Sequence, residues 1–264
     1  MKLHQIERVL SEDEGEGDAV LCIHGLGGSA NTFQPLMPAL ARHRVLRIDL
    51  PGSGRSQAAE GALDIARYVQ AVLALCSRAG VTRTHVLAHS MGTIVAQHLA
   101  VEAPKLVRSL ALFGPLIAPP EPARVAMRAR ADKARREGAE GMQAIVTGLL
   151  QAALSADSRQ RQPLAVAFVR ESLMRQSPEA YARSCEALAS APAAAVDRIA
   201  CPVLLVTGEE DGVAPPQAVR AMAEKLASAR VVVLPRCGHW TPVEKADECQ
   251  RELREFLASA ARSN

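Results

Sequence analysis

Six short apolar, β-branched runs recur along the chain, at residues 19–23, 44–48, 84–88, 107–113, 202–207 and 230–234. Near-continuous apolar character over five to seven residues marks strands buried on both faces. Between these runs, residues 62–79, 91–103, 215–227 and 243–260 carry apolar positions at three- and four-residue spacing, the pattern of helices that bury one stripe. Strand and helix in alternation predict an α/β protein with a mostly parallel sheet and helices on both faces, because a parallel connection needs a crossover. The rhythm changes over residues 121–192. There the pattern is helical and rich in Ala, Arg and Leu, with turn signals at Gly138, Gly141, residues 155–162 and Ser177-Pro178. The expected organisation is a core of residues 1–116 and 196–264, interrupted by a helical cap of residues 117–195.

Composition narrows the class. The chain has 264 residues, 48% hydrophobic and 22% charged, which suits a soluble globular protein with a large core. No apolar run reaches the roughly 18 residues of a membrane helix, and the first 18 residues are polar and acidic, unlike a signal peptide. A cytoplasmic protein without a membrane partner is expected. A net charge of +3, with basic residues dispersed, gives no argument for nucleic acid. The six cysteines form no C-x-x-C pair, so they read as buried thiols of a reducing compartment.

Three loops carry the candidate chemistry. Ala88-His89-Ser90-Met91-Gly92 follows a predicted strand and opens a predicted helix, so Ser90 sits on a tight strand-to-helix turn with the Met91 amide at a helix N-terminus. Ala88 stands where the strict G-x-S-x-G pattern has its first glycine. The second loop, His24-Gly25-Leu26-Gly27-Gly28, also follows a strand, and its glycines let amides turn inward, so Leu26 and Met91 can together form an oxyanion hole. The same glycines fit the dinucleotide fingerprint G-x-G-x-x-A, but Pro35 and Pro38 fall inside the helix that such a site requires, each costing about 3 kcal/mol. The third comprises two C-terminal elements: one strand leads into Gly208-Glu209-Glu210-Asp211 and the next into Cys237-Gly238-His239. Strands of a parallel sheet end on one edge, so Ser90, Asp211 and His239 can converge there. No metal site is expected, since His85 and His89 lie four apart on a strand, about 13 Å.

The chain order Ser, Asp, His, together with HGLGG, the loop of residues 49–56, AHSMG, GEEDGVAPP and CGHW, resembles the α/β-hydrolase superfamily over residues 19–115 and 196–257. The resemblance implies an α/β-hydrolase fold with Ser90 as nucleophile, His239 as base and Asp211 as the acid that orients it, and it requires no cofactor. The cap is similar to that of 3-oxoadipate enol-lactonases in Ser177-Pro-Glu-Ala-Tyr181 and Cys185. HGLGG and GHW are also seen in esterases and in carbon–carbon bond hydrolases of ring-cleavage products.

These readings predict a serine hydrolase cleaving a carboxylic ester or enol-lactone of a small substrate through an acyl-enzyme. A carbon–carbon hydrolase and a non-catalytic ligand-binding protein are the alternatives, and a homo-oligomer is compatible with either. Only four Phe, two Tyr and one Trp are present, and Gly25, Phe33, Phe113, Phe168 and Trp240 are the expected substrate contacts in a modest, mostly aliphatic pocket. The cap contains ten arginines, among them Arg124, Arg128, Arg159, Arg170 and Arg183, against eight acids. A guanidinium matches a carboxylate bidentately, so one of them binding an anionic ester or lactone is a further expectation.

Overall fold

The computed structural model describes residues 1–56 and 61–262, so residues 57–60, 263 and 264 of the expected core lie outside it. Eight strands form one sheet in the order β1-β2-β4-β3-β5-β6-β7-β8. The six apolar runs become β3 (Ala19–Ile23), β4 (Arg44–Ile48), β5 (Thr84–His89), β6 (Val107–Phe113), β7 (Val203–Gly208) and β8 (Ala229–Leu234), all parallel. Two strands carry no apolar signal. They are β1 (Lys2–Ile6) and β2 (Val9–Glu14), an antiparallel pair at one edge.

Cross-strand charge explains why these two were missed. The acids of β2 face the arginines of β4: Asp13 accepts from Arg44 at 2.9 and 2.7 Å, while Arg47, almost fully buried, pairs with Glu12 at 2.7 Å and Glu14 at 2.6 Å. The Arg44 guanidinium holds the Asp13 carboxyl at about 2, against the opposing effect of burial. Ion pairs replace apolar contacts here, so the sequence reads as polar.

Two layers of helix cover the sheet. On one face α1 (Ile65–Arg78), α2 (Met91–Glu102) and α7 (Pro216–Ala223) enclose a cluster that includes Leu21, Ile23, Val86, Ile94, Leu110 and Leu205. On the other, a 3-10 helix over Ala30–Leu40 and α9 (Ala246–Arg262) cover Val20, Cys22, Leu87, Ala111 and Leu204. The prolines at 35 and 38 are absorbed in that 3-10 helix, which begins after the glycines. Between β6 and β7 the chain forms α3 (Glu121–Ala153), α4 (Ala156–Arg161), α5 (Pro163–Met174) and α6 (Pro178–Ala189). Gly138 breaks α3 at φ +56°. These helices share a third cluster with Ala134, Val146, Val169, Leu173, Tyr181 and Trp240. A four-residue α8 (Thr241–Glu244) precedes α9.

Gly92 fixes how closely α2 approaches β3. A Cβ at this position would lie 2.3 Å from the Ile23 carbonyl oxygen and 2.6 Å from that of His24, both backbone atoms that cannot swing aside. Gly92→Ala is therefore expected to destabilise the protein by about 1–3 kcal/mol, as overpacked sites do. Thermal unfolding checks this, and an unchanged midpoint would remove the close-approach argument.

Candidate active site

The sharp turn between β5 and α2 holds Ser90 at φ +52°, ψ −122°, left-handed backbone that costs a non-glycine residue energy and recurs at functional sites. Its amide donates to the Phe113 carbonyl at 3.0 Å, which ties the turn to the end of β6. Gly25 packs against it so closely that a Cβ there would sit 2.7 Å from the Ser90 Cβ. No side chain larger than hydrogen fits at Gly25 beside this serine.

Ser90, His239 and Asp211 form one hydrogen-bonded chain. Ser90 Oγ lies 2.8 Å from His239 Nε2, and His239 Nδ1 lies 2.9 Å from Asp211 Oδ2. All three side chains are buried. Asp211 Oδ1 also accepts the amides of Val213 and Ala214, each at 2.8 Å. Burial alone would raise the Asp211 carboxyl, but the His239 charge and hydrogen bond, with those two amides, bring it down to about 2. Asp211 is thus a fixed anion that accepts from Nδ1–H, and in that tautomer Nε2 is the ring atom able to accept a serine proton.

The loop bearing His239 is anchored by residues that the sequence did not single out. Buried Glu244 accepts from the amides of Gly238 at 3.1 Å, Trp240 at 3.1 Å and Ser155 at 2.9 Å, joining the His239 loop to the cap. The His239 amide itself donates to Ala153 of α3 at 2.8 Å. No sequence signal marks Glu244, since an acid five residues past a histidine is unremarkable until its carboxylate is seen collecting amides. His89 Nε2–H donates to the His239 carbonyl at 3.0 Å, and burial next to His239 lowers its ring to about 3, so it is neutral. His24 is fixed just as firmly. It accepts from the Leu50 amide through Nε2 at 3.0 Å and donates from Nδ1 to Gly25 O at 2.8 Å, holding the glycine loop, and burial lowers its pKa.

A cavity with about 70 Å³ of free volume opens at Ser90. Leu26, Leu116, Met127, Leu149, Leu173 and Val213 make its wall mostly aliphatic, and Tyr181 and Trp240 supply the aromatic surface. A larger hollow of about 620 Å³ lies elsewhere, among Ile6, Arg8, Pro51 and Arg67, and contains none of Ser90, Asp211 or His239.

Of the five expected substrate contacts, Trp240 is in the cavity lining, Gly25 lies against the Ser90 Cβ, and the three phenylalanines lie elsewhere. Phe33 and Phe113 are fully buried in the cluster on the far face of the sheet, where their rings pack with Cys22 and Leu36, so neither borders the cavity. Phe168 is half-buried on α5 and packs within the cap cluster, also outside the cavity lining. Leu26 and Trp240 do line it, and Met91 begins α2 immediately after Ser90. The named cap arginines are engaged elsewhere: Arg124 on the carbonyls of Pro119, Ala189 and Ala191, Arg128 on Glu121, Arg159 on Gln151 and Leu154, Arg170 on Gln143, and Arg183 on Gly61. Glu209 and Glu210 are exposed beside buried Asp211. The loop after β4 is structural, with Asp49 accepting from Ala30 N at 2.7 Å and from Arg55 Nε at 2.6 Å. No group of three His, Cys, Asp or Glu side chains with metal-binding geometry occurs among the described residues. Nor does any helix among them have the length and apolarity to cross a membrane.

Comparison with known proteins agrees with this architecture. The 2-hydroxymuconate semialdehyde hydrolase of Pseudomonas putida is 29% identical over 94% of this chain and 90% of that protein. Among solved structures, the enol-lactonase from Burkholderia xenovorans LB400 superposes with a TM-score of 0.88 at 27% identity, covering 97% of this chain and all of that one. A thermophilic esterase from Thermogutta terrifontis gives a TM-score of 0.89 at 26% identity, covering 96% of this chain and 93% of that one. The family profile described as alpha/beta hydrolase fold matches residues 18–246. With a parallel sheet, a serine on the turn after β5 and a profile match over most of its length, this chain belongs to the α/β-hydrolase family.

Proposed function

We propose that the protein is a serine hydrolase that cleaves a carboxylic ester or lactone of a small molecule through an acyl-enzyme. The observation that carries this reading is the 2.8 Å contact from Ser90 Oγ to His239 Nε2, continued at 2.9 Å to Asp211. His239 takes the Ser90 proton as Oγ attacks the carbonyl carbon, Asp211 steadies the imidazolium, and the same proton passes to the departing alcohol oxygen. Water, deprotonated by His239, then adds to the acyl carbon and releases the acid and free Ser90. The oxyanion is stabilised by the amides of Leu26 and Met91, the one on the glycine loop held by His24, the other at the start of α2. Residues 117–195 act as a lid over the cavity. The aliphatic lining and small free volume favour a short acyl group.

Carbon–carbon hydrolysis is the second reading, since the same three side chains could serve it and a hydrolase of a ring-cleavage product shares 29% identity with this chain. A panel containing simple esters, a lactone and a vinylogous diketone separates the two. Turnover of the diketone alone would favour the second.

The direct test is covalent. A neutral alkyl fluorophosphonate should label the protein once, and peptide mapping should find the adduct on Ser90. Labelling elsewhere, or none with folded protein, would remove the serine-hydrolase reading.

A further inference from the structure

Arg130 is the one Lys or Arg in the wall of the Ser90 cavity. It stands on α3, half-buried, with Met127 below it on the same helix and Leu149, Tyr181 and Leu188 around the same wall. None of the lining residues is an acid, and Arg130 makes no ion pair within 4 Å among the described residues. The acids of α6 that could have neutralised it are engaged by another residue. Arg135 binds both Glu179, at 2.9 Å, and Glu186. Taking a cation partly out of water without a partner is unfavourable, so a chain that already has acids on the facing helix and leaves this cation unpaired retains it against a cost.

A second polar group lies beside it. Tyr181 is 1% exposed and lines the cavity, and its hydroxyl lies beside Cys185 and Arg130 without a hydrogen bond of good geometry to either. Buried hydroxyls are almost always satisfied, so one without a well-formed bond beside a cavity stands out as a spare donor. Burial drives its pKa well above that of a free phenol, so it keeps its proton and can give it in a hydrogen bond. Arg130 and Leu149 also line a groove of about 330 Å³ on the outer side of α3, so both residues border that groove and the cavity at Ser90.

Resting on the serine-hydrolase reading, we infer that Arg130 and Tyr181 form a carboxylate subsite and that the physiological substrate is a short ester or lactone bearing a free carboxylate. The guanidinium donates to one or both carboxylate oxygens, the tyrosine hydroxyl donates to one of them, and the aliphatic wall takes the chain between the carboxylate and the scissile carbonyl. This assigns the specificity role to a cap arginine that none of Arg124, Arg128, Arg159, Arg170 or Arg183 can fill from their present partners.

The test compares two esters of similar length, monomethyl succinate and methyl valerate, followed by acid release at constant pH, with calorimetric binding of succinate alongside. Wild-type protein should prefer the charged ester, and in Arg130→Met the ratio of the two kcat/KM values should fall about 10- to 150-fold, the loss of a hydrogen bond to a charged group. Arg130→Lys should keep part of the preference, Tyr181→Phe should lower it several-fold, and Arg128→Met, on the exposed side of α3, should leave it unchanged. Succinate affinity should weaken in parallel. Equal wild-type rates on the two esters, or an unaltered ratio and succinate affinity in Arg130→Met, would overturn the subsite. Fluorophosphonate labelling of Ser90 in each variant reports the serine chemistry separately, so a failure of that chemistry and a failure of the carboxylate site give different results. Should Arg130→Met not fold, Arg130→Lys and Tyr181→Phe carry the comparison.

Discussion

Ser90→Ala is expected to lower kcat on any ester substrate by about 10⁴-fold or more while leaving the fold intact. Oγ is the only atom removed, and the structure gives it one partner, His239 Nε2 at 2.8 Å. The Ser90 side chain does not cap α2, so no helix end loses a hydrogen bond. Alanine keeps the Cβ and with it the strained backbone at φ +52°, so the unfolding midpoint should move little. Activity and labelling must disappear together. An Ala variant that kept substantial turnover in pure preparations would mean that another group attacks the substrate. Cys237, two residues before His239, is one alternative, but it is fully buried, its thiol is pushed far up by burial, and it is absent from the cavity lining.

Much of this site was legible because three separate physical signals coincide in the sequence. The six parallel strands are buried on both faces, so hydrophobicity alone marks them, and their common edge brings distant loops together. What stayed hidden depends on pairing across space. The β1–β2 hairpin is polar because Arg44 and Arg47 of the neighbouring strand take up its acids. Glu244 becomes meaningful only when three amides from two regions converge on it. The aromatics misled for a related reason. Phe33 follows the glycine loop in sequence, yet the 3-10 helix carries it under the far side of the sheet, whereas Tyr181, some 150 residues away from that loop, packs over Gly27. Arg130 was indistinguishable from nine other cap arginines until their partners were known.

Those contacts also divide the cap's role in two. Ala153 and Ser155 hold the His239 loop through backbone and Glu244 contacts, so one end of residues 117–195 fixes that loop. Leu173 and Tyr181 approach the glycine loop, so the other end shapes the space above Leu26. Residues 117–195 are therefore held at both ends, and Arg130 and Leu149 line both the cavity and the outer groove.

Asp211→Asn is expected to reduce kcat on the order of 10⁴-fold at neutral pH, and the surrounding hydrogen bonds dictate why. The amides of Val213 and Ala214 both donate to Oδ1, so the asparagine must place its carbonyl oxygen there and its NH₂ where Oδ2 was. That NH₂ then donates to His239 Nδ1. The ring is forced into the tautomer with its proton on Nε2, facing Ser90 at a distance where it should accept, and it can no longer take the serine proton. Stability supplies an independent readout. The Asp211 carboxyl titrates near 2 in the folded protein against an ordinary 3.8, so its ionised form favours folding at all pH values above about 4, and that contribution is lost as pH falls towards 2. Wild-type protein should therefore lose more stability than Asp211→Asn between pH 4 and 2, measured by denaturant unfolding. A variant with near-normal kcat would show that His239 finds its tautomer without Asp211. Equal acid sensitivity in the two proteins would show instead that the carboxylate is not the buried anion on which this arrangement depends.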